Sequence, residues 1–253
     1  MQKLKYLTVL LILTTLFVVA GGSSFNVLAS PGPFAPDLGS AANFVGLASS
    51  TFTNTGSGIY VGDVGVFPGT AVIGFPPGTL RRGMIHAGDG VAKQAQIDAS
   101  AAYTALAGQD CNVDLTGKDL GGMTLTPGVY CFNTSAQLTG DLVLDALGNP
   151  LAAWVFKTGS TLTTASGSSV AVINGGQVLN VFWQVGSSAT LGTTTRFSGN
   201  ILAFESVTLT TGASLIGRAF GLTGGVTMDT NGSPIPITNT PFFNFYYLPL
   251  ITR

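Results

Sequence analysis

The 253-residue chain has only 8% charged residues, a formal net charge of −1, one glutamate (Glu205) and one histidine (His86). An average soluble protein carries about 25% charged residues, so this surface must consist mainly of hydroxyls, amides and small side chains. Weak, scattered acidity argues against nucleic acid or anionic lipid as a partner. The 35 glycines, abundant threonine and serine and scarce helix formers favour strands and turns.

"MQKLKY" supplies two lysines and "LTVLLILTTLFVVA" an apolar run short for a bilayer, followed by small residues and "VLA" at Val27–Ala29. Residues 1–29 read as a secretory signal. Cleavage after Ala20 or Gly22, or retention as an anchor, are the alternatives. Once the signal is removed, the reading is a secreted, extracellular chain without membrane insertion. "SPGPFAP" (residues 30–36) reads as an extended linker, and residues 37–235 as one domain. Between Asp37 and Gly83, short apolar pieces alternate with Gly, Pro and Asn, which is the texture of short strands and tight turns.

The texture changes once, in "AGDGVAKQAQIDASAAYTALAG", where Ala92, Ala95, Ala99, Ala102, Ala105 and Ala107 recur with helical spacing. A helix near 87–107 is expected, with Asp89 at its positive end and Gly108 as its stop. Its small-residue side should pack on a flat sheet. Cys111 and Cys131 follow. An isolated pair in an exported chain is most simply a disulfide, and no further ligands at suitable spacing suggest a metal.

Strand texture then returns with a period. "TLTTASGSS", "TLGTTTRFSG", "TLTTGASLIG" and "TMDTNGSPI" align Thr161, Thr190, Thr208 and Thr227 in one column, at steps of 29, 18 and 19 residues. Leu162, Leu191, Leu209 and Met228 form the next column, and Thr164, Thr193, Thr211 and Thr230 a third. A period of about 18–20 with one apolar column belongs to a mainly β chain coiled as a β-solenoid, apolar column inward and neighbours outward. A β-sandwich is the rival architecture. The tail, residues 236–253, breaks the pattern with five aromatics between Phe242 and Tyr247. It reads as a cover for the open edge of the last coil, or as a means of cell-surface association.

Catalytic chemistry is poorly provided for. His86 precedes the helix, where a buried or capping role is commoner. No nucleophile elbow occurs, and Asp141 and Asp145 stand in turn-rich sequence. Trp154 and Trp183 lie in alternating apolar strands and read as core rather than sugar platforms. The chain reads as a monomer, not an enzyme, and needs no cofactor.

What the repeats offer is a rigid grid of hydroxyls and methyls, with coils repeating every ~4.8 Å and alternate residues every ~6.7 Å. β-Branched threonines lose little side-chain freedom on ordering. Such a grid suits a flat, neutral, periodic partner; solubilising exposed strands is the plainer role for the same residues.

"HAGDGVAKQAQIDASAAY", "DLGGMTLTPGVY", "TGDLVLDALGNPLAAWVFKTGSTLTTASGSSV" and "NVFWQVGSSATLGTTTRFSGNILAFESVTLTTGASLIGRAF" closely resemble the microbial ice-binding protein family, over about Leu38 to Ile235. The resemblance implies an interrupted right-handed β-helix of triangular section with one long α-helix alongside. It also implies binding of the ice/water lattice on one flat face, described by a T-A/G-x-T/N motif. On this chain the motif falls on Thr164-Ala165-Ser166-Gly167, Thr193-Thr194-Thr195-Arg196, Thr211-Gly212-Ala213-Ser214 and Thr230-Asn231-Gly232-Ser233. The candidate face therefore comprises Thr161, Thr163, Thr164, Ser166, Thr190, Thr193, Thr195, Thr208, Thr210, Thr211, Ser214, Thr227, Thr230 and Ser233. Arg196 departs from the motif, since a long cation would break a flat face. A surface module adhering to a neutral polysaccharide is the second reading.

Overall fold

The computed structural model describes residues 33–231. The expected signal, the start of the linker, Ser233 and the aromatic tail lie outside the described residues.

The described chain is a β-helix of parallel strands with one long α-helix packed alongside. Each coil crosses three faces. The first carries, in spatial order, Ile85–Ala87, Asp63–Val66, Phe44–Ala48, then the second halves of Ser214–Gly221 and Arg196–Ala203, then Val181–Val185, Trp154–Thr158, Gly128–Phe132 and Val113–Asp114. The second face has seven strands: Ala136–Leu138, Leu162–Thr164, Ala189–Leu191, Val207–Leu209, Val226–Met228, Thr51–Asn54 and Ala71–Ile73. The third holds Thr124–Leu125, Asp141–Asp145, Ser169–Ile173 and the first halves of the two long strands, with Ile59–Val61 and Thr79–Arg81 paired separately. The order is not sequential, because the amino-terminal coils stack on the carboxy-terminal ones, Thr51–Asn54 against Val226–Met228. The α-helix carries the chain from the amino-terminal coils to the strands at the other end of the stack.

Alternation builds the interior. Phe52, Leu162, Leu191, Val207, Leu209, Val226 and Met228 point inward and are buried. Leu191, Leu209 and Met228 stack in register as their column requires. Leu162 does not join them: it pairs with Ala189, so the coil beginning at Thr161 is displaced by two residues from the expected alignment. Trp154 and Trp183 are buried core residues, and Trp183 stacks on Phe156 with ring centroids 3.9 Å apart.

The α-helix, α1, spans Gly90–Ala107. Asp89 caps it, its carboxylate accepting from the amides of Val91 and Ala92 and also meeting His86 Nδ1 at 2.8 Å. His86 is thus a buried partner of the cap. Gly108 follows, its amide donating to Thr104 and Leu106 carbonyls. Ala95, Ala99, Ala102 and Leu106 pack against Phe44, Leu47, Val129, Val155, Phe182, Leu202 and Phe220 on the outer side of the first face. Small side chains on α1 leave room for the aromatic rings opposite them. Cys111 and Cys131 form a disulfide with Cα atoms 5.9 Å apart, tying the α1 exit to the strand Gly128–Phe132. Phe34, in the stretch read as linker, exchanges two hydrogen bonds with the Gln109 side chain.

Candidate functional site

The second face is the site's foundation. Strand register aligns Thr163 with Thr190, Thr190 with Thr208, Thr208 with Thr227 and Thr227 with Thr53. All five lie between buried inward neighbours and are partly or fully exposed. Gln137 extends the column at one end and Ile73 at the other. Coils about 4.8 Å apart make this a straight ladder of identical side chains. Among the described residues, none of the five hydroxyls is hydrogen-bonded within the protein, so each can serve an external partner. That separates the column from Thr161, Thr210 and the threonines of the neighbouring corner.

Thr161 stands in the flanking outward column with Ser188, Ser206 and Thr51, and donates to Ser135 Oγ at 2.8 Å. Thr210, partly buried, spends its hydroxyl on the Leu191 carbonyl at 2.8 Å. Beyond the strands lies the corner between the second and third faces. There Thr193 donates to Ser166 Oγ at 2.7 Å, Thr211 to the Asp229 carboxylate, and Thr230 to Asp229 Oδ1 at 3.1 Å. The Thr211 hydroxyl, then those of Thr55 and Thr230, hold the Asp229 carboxyl below its ordinary range. The corner is thus a second exposed hydroxyl row, but an internally bonded one.

The next residues are Gly167, Thr194, Gly212 and Thr230, all left-handed with φ of 72°, 57°, 71° and 53°. These left-handed positions make Ser166, Thr193, Thr211 and Asp229 equivalent corner residues, so the four-residue stretches expected to start at Thr164 and Thr230 lie two residues and one out of register with those starting at Thr193 and Thr211. Two assignments to the surface are corrected. Thr164 and Thr195 are 3% and 0% exposed, and their hydroxyls meet at 2.9 Å inside the coil. Thr164 belongs to the inward parity of its strand, and Thr195 follows the left-handed turn and points in. Ser214 pairs with Arg196, and Arg196 with Ser169, so all three head strands of the third face. Arg196 therefore stands outside the central threonine column.

Thr53 escaped the sequence reading. "TFTNTG" at residues 51–56 resembles "TLTTG" at 208–212, and alternation about Phe52 would have placed Thr53 outward.

The family model described as Ice-binding-like matches residues 46–233. An ice-binding protein from Nostoc sp. (strain HG1) is 57% identical over 195 residues, covering 77% of this chain and 72% of its own length. The crystal structure of an ice-binding protein from the Antarctic ascomycete Antarctomyces psychrotrophicus superposes with a TM-score of 0.77 at 37% identity, covering 83% of this chain and 100% of its own. An ice-binding protein from an Antarctic biological consortium also gives a TM-score of 0.77, at 44% identity, covering 80% and 91%.

Proposed function

The chain belongs to the Ice-binding-like family, and we propose that it adsorbs to ice through the second face, restraining ice growth and recrystallisation. The observation that carries the face assignment is the in-register column Thr163, Thr190, Thr208, Thr227 and Thr53 with uncommitted hydroxyls. Methyls on this grid order water into cages, and the hydroxyls anchor those cages to the protein. The scaffold fixes backbone spacing and β-branching fixes the side chains, so little entropy remains to be lost on adsorption. The central column carries no charge; Glu205, bonded to Ser187 and Ser188, and Asp229 stand at its two margins.

Adsorption needs no catalytic group and no cofactor. We also place the protein outside the cell, from the amino-terminal signal and the disulfide. No helix among the described residues is long and apolar enough to cross a membrane.

The test is partition into ice. A slowly growing ice hemisphere should take up the purified protein from dilute solution while excluding a non-binding protein of similar size. Equal exclusion of both would refute ice adsorption.

A further inference from the structure

A crystal surface is a two-dimensional lattice, and a protein that fixes a single crystal plane must match two independent repeats. The second face supplies one. Along the stack, Thr163, Thr190, Thr208, Thr227 and Thr53 recur once per coil, so at ~4.8 Å per coil the five hydroxyls span about 19 Å. Each of these threonines stands between two buried neighbours of its own strand, which keeps the row straight.

Across the strands the repeat is lost. In the column two residues earlier, Thr161 donates to Ser135 Oγ at 2.8 Å and Ser188 to Glu205 Oε2 at 3.2 Å. Ser206 Oγ accepts from the amide of Gly225, and Gly225 itself leaves a gap in that column. Thr51 is the one member whose hydroxyl has no partner among the described residues. Two residues after the row stand Ala165, Gly192, Thr210, Asp229 and Thr55. These offer a methyl, a bare backbone, a carboxylate and two threonines. Both threonines are spent on carbonyls, Thr210 on Leu191 at 2.8 Å and Thr55 on Met228 at 3.4 Å. The corner row beyond is paired off, Thr193 with Ser166 and Thr211 with Asp229. Among the described residues, no second column beside the row repeats an uncommitted hydroxyl from coil to coil.

We infer that the ladder recognises one row of lattice oxygens and not one plane, an inference that rests on the adsorption reading above. The shortest repeat of hexagonal ice runs along its three equivalent a axes. The coil spacing is close to that repeat and to no other row direction, so the ladder lies along an a axis. With no lateral repeat to satisfy, the protein pivots about this row, and every ice plane that contains an a axis becomes a binding surface. The basal plane, the primary prism planes and the pyramidal planes between them each contain one. The secondary prism planes, which stand perpendicular to an a axis, contain none and are left bare.

A single-crystal ice hemisphere grown in fluorescently labelled protein exposes all planes at once. Fluorescence is expected over the basal, primary prism and intervening pyramidal planes, with the secondary prism planes dark. Staining confined to one plane family would overturn the single-row inference while leaving adsorption in place. Secondary prism planes stained as brightly as the rest would overturn it equally. A hemisphere dark everywhere would instead remove adsorption itself, and this inference with it. Thr208→Tyr interrupts the row at its centre and should extinguish all stained planes together. Loss from some planes only would mean separate sites for separate planes and would also overturn the inference. Should the variant fail to fold, the wild-type pattern decides alone.

Discussion

Thr163 and Thr164 are sequence neighbours with opposite environments, and the difference follows from strand parity. Within a strand the side chains alternate, so Thr163 faces out while Thr164 joins the interior beside Thr195. Thr193 and Thr211 lie after their strands have ended, close to a left-handed residue, and parity no longer governs them. Matching threonines by spelling alone therefore combined a core residue with corner residues. The same geometry makes Arg196 a third-face residue. Arg196→Thr should leave ice-growth inhibition within about twofold of wild type in a thermal-hysteresis assay, and a large gain would return Arg196 to the binding face. A second residue-scale test concerns Gln96, buried on α1 with neither side-chain amide atom hydrogen-bonded among the described residues. Burying such a group without partners costs about 1–3 kcal/mol, so Gln96→Leu should raise unfolding stability by a comparable amount in denaturant titration.

At the scale of elements, α1 was readable because its alanine spacing and cap are local signals. The capping carboxyl also makes a pH prediction. Asp89 is held below the ordinary value of 3.8, first by the Ala92 amide and then by the His86 ring. A depressed carboxyl contributes stability that is complete above its unfolded pKa and lost as pH falls through the lower folded pKa. Thermal midpoints should thus be nearly level from neutrality to about pH 4 and decline below it. Asp89→Asn should flatten part of that decline, leaving the share due to Asp98, Asp114, Asp119, Asp145 and Asp229, which are also depressed. An unchanged acid profile in the variant would remove Asp89 from the account. The disulfide, closing a separation of 20 residues, should contribute about 3 kcal/mol by loop-closure entropy. Cys131→Ser should lower unfolding stability by that order while sparing ice activity, because the bond lies on the first face.

For the whole molecule, period and alternation within coils revealed the solenoid, its apolar columns and most of the exposed threonines. They could not reveal how the coils are ordered. Thr55 and Met228 are 173 residues apart yet share a hydrogen bond. No local spacing encodes that junction, and it adds Thr53 to the ladder. The coil displaced by two residues was obscured for a related reason. Its partner stands 27 positions away at Ser166 and Thr193, since a loop lengthens that turn and spelling alone does not locate the extra residues.

Adsorption through an uncharged ladder should also be nearly indifferent to salt. Raising ionic strength from about 0.05 to 0.5 M shortens electrostatic range severely, yet protein taken up by ice, corrected for freezing-point depression, should change little. The most direct measurement compares thermal hysteresis and crystal shaping for two folded tyrosine variants. Thr208→Tyr places a bulky ring at the centre of the ladder, whereas Ala171→Tyr places the same ring at an exposed position on the third face. The threonine-ladder account predicts that Thr208→Tyr loses most of the activity and Ala171→Tyr retains it. Full activity in Thr208→Tyr, or its loss in Ala171→Tyr alone, would contradict the account.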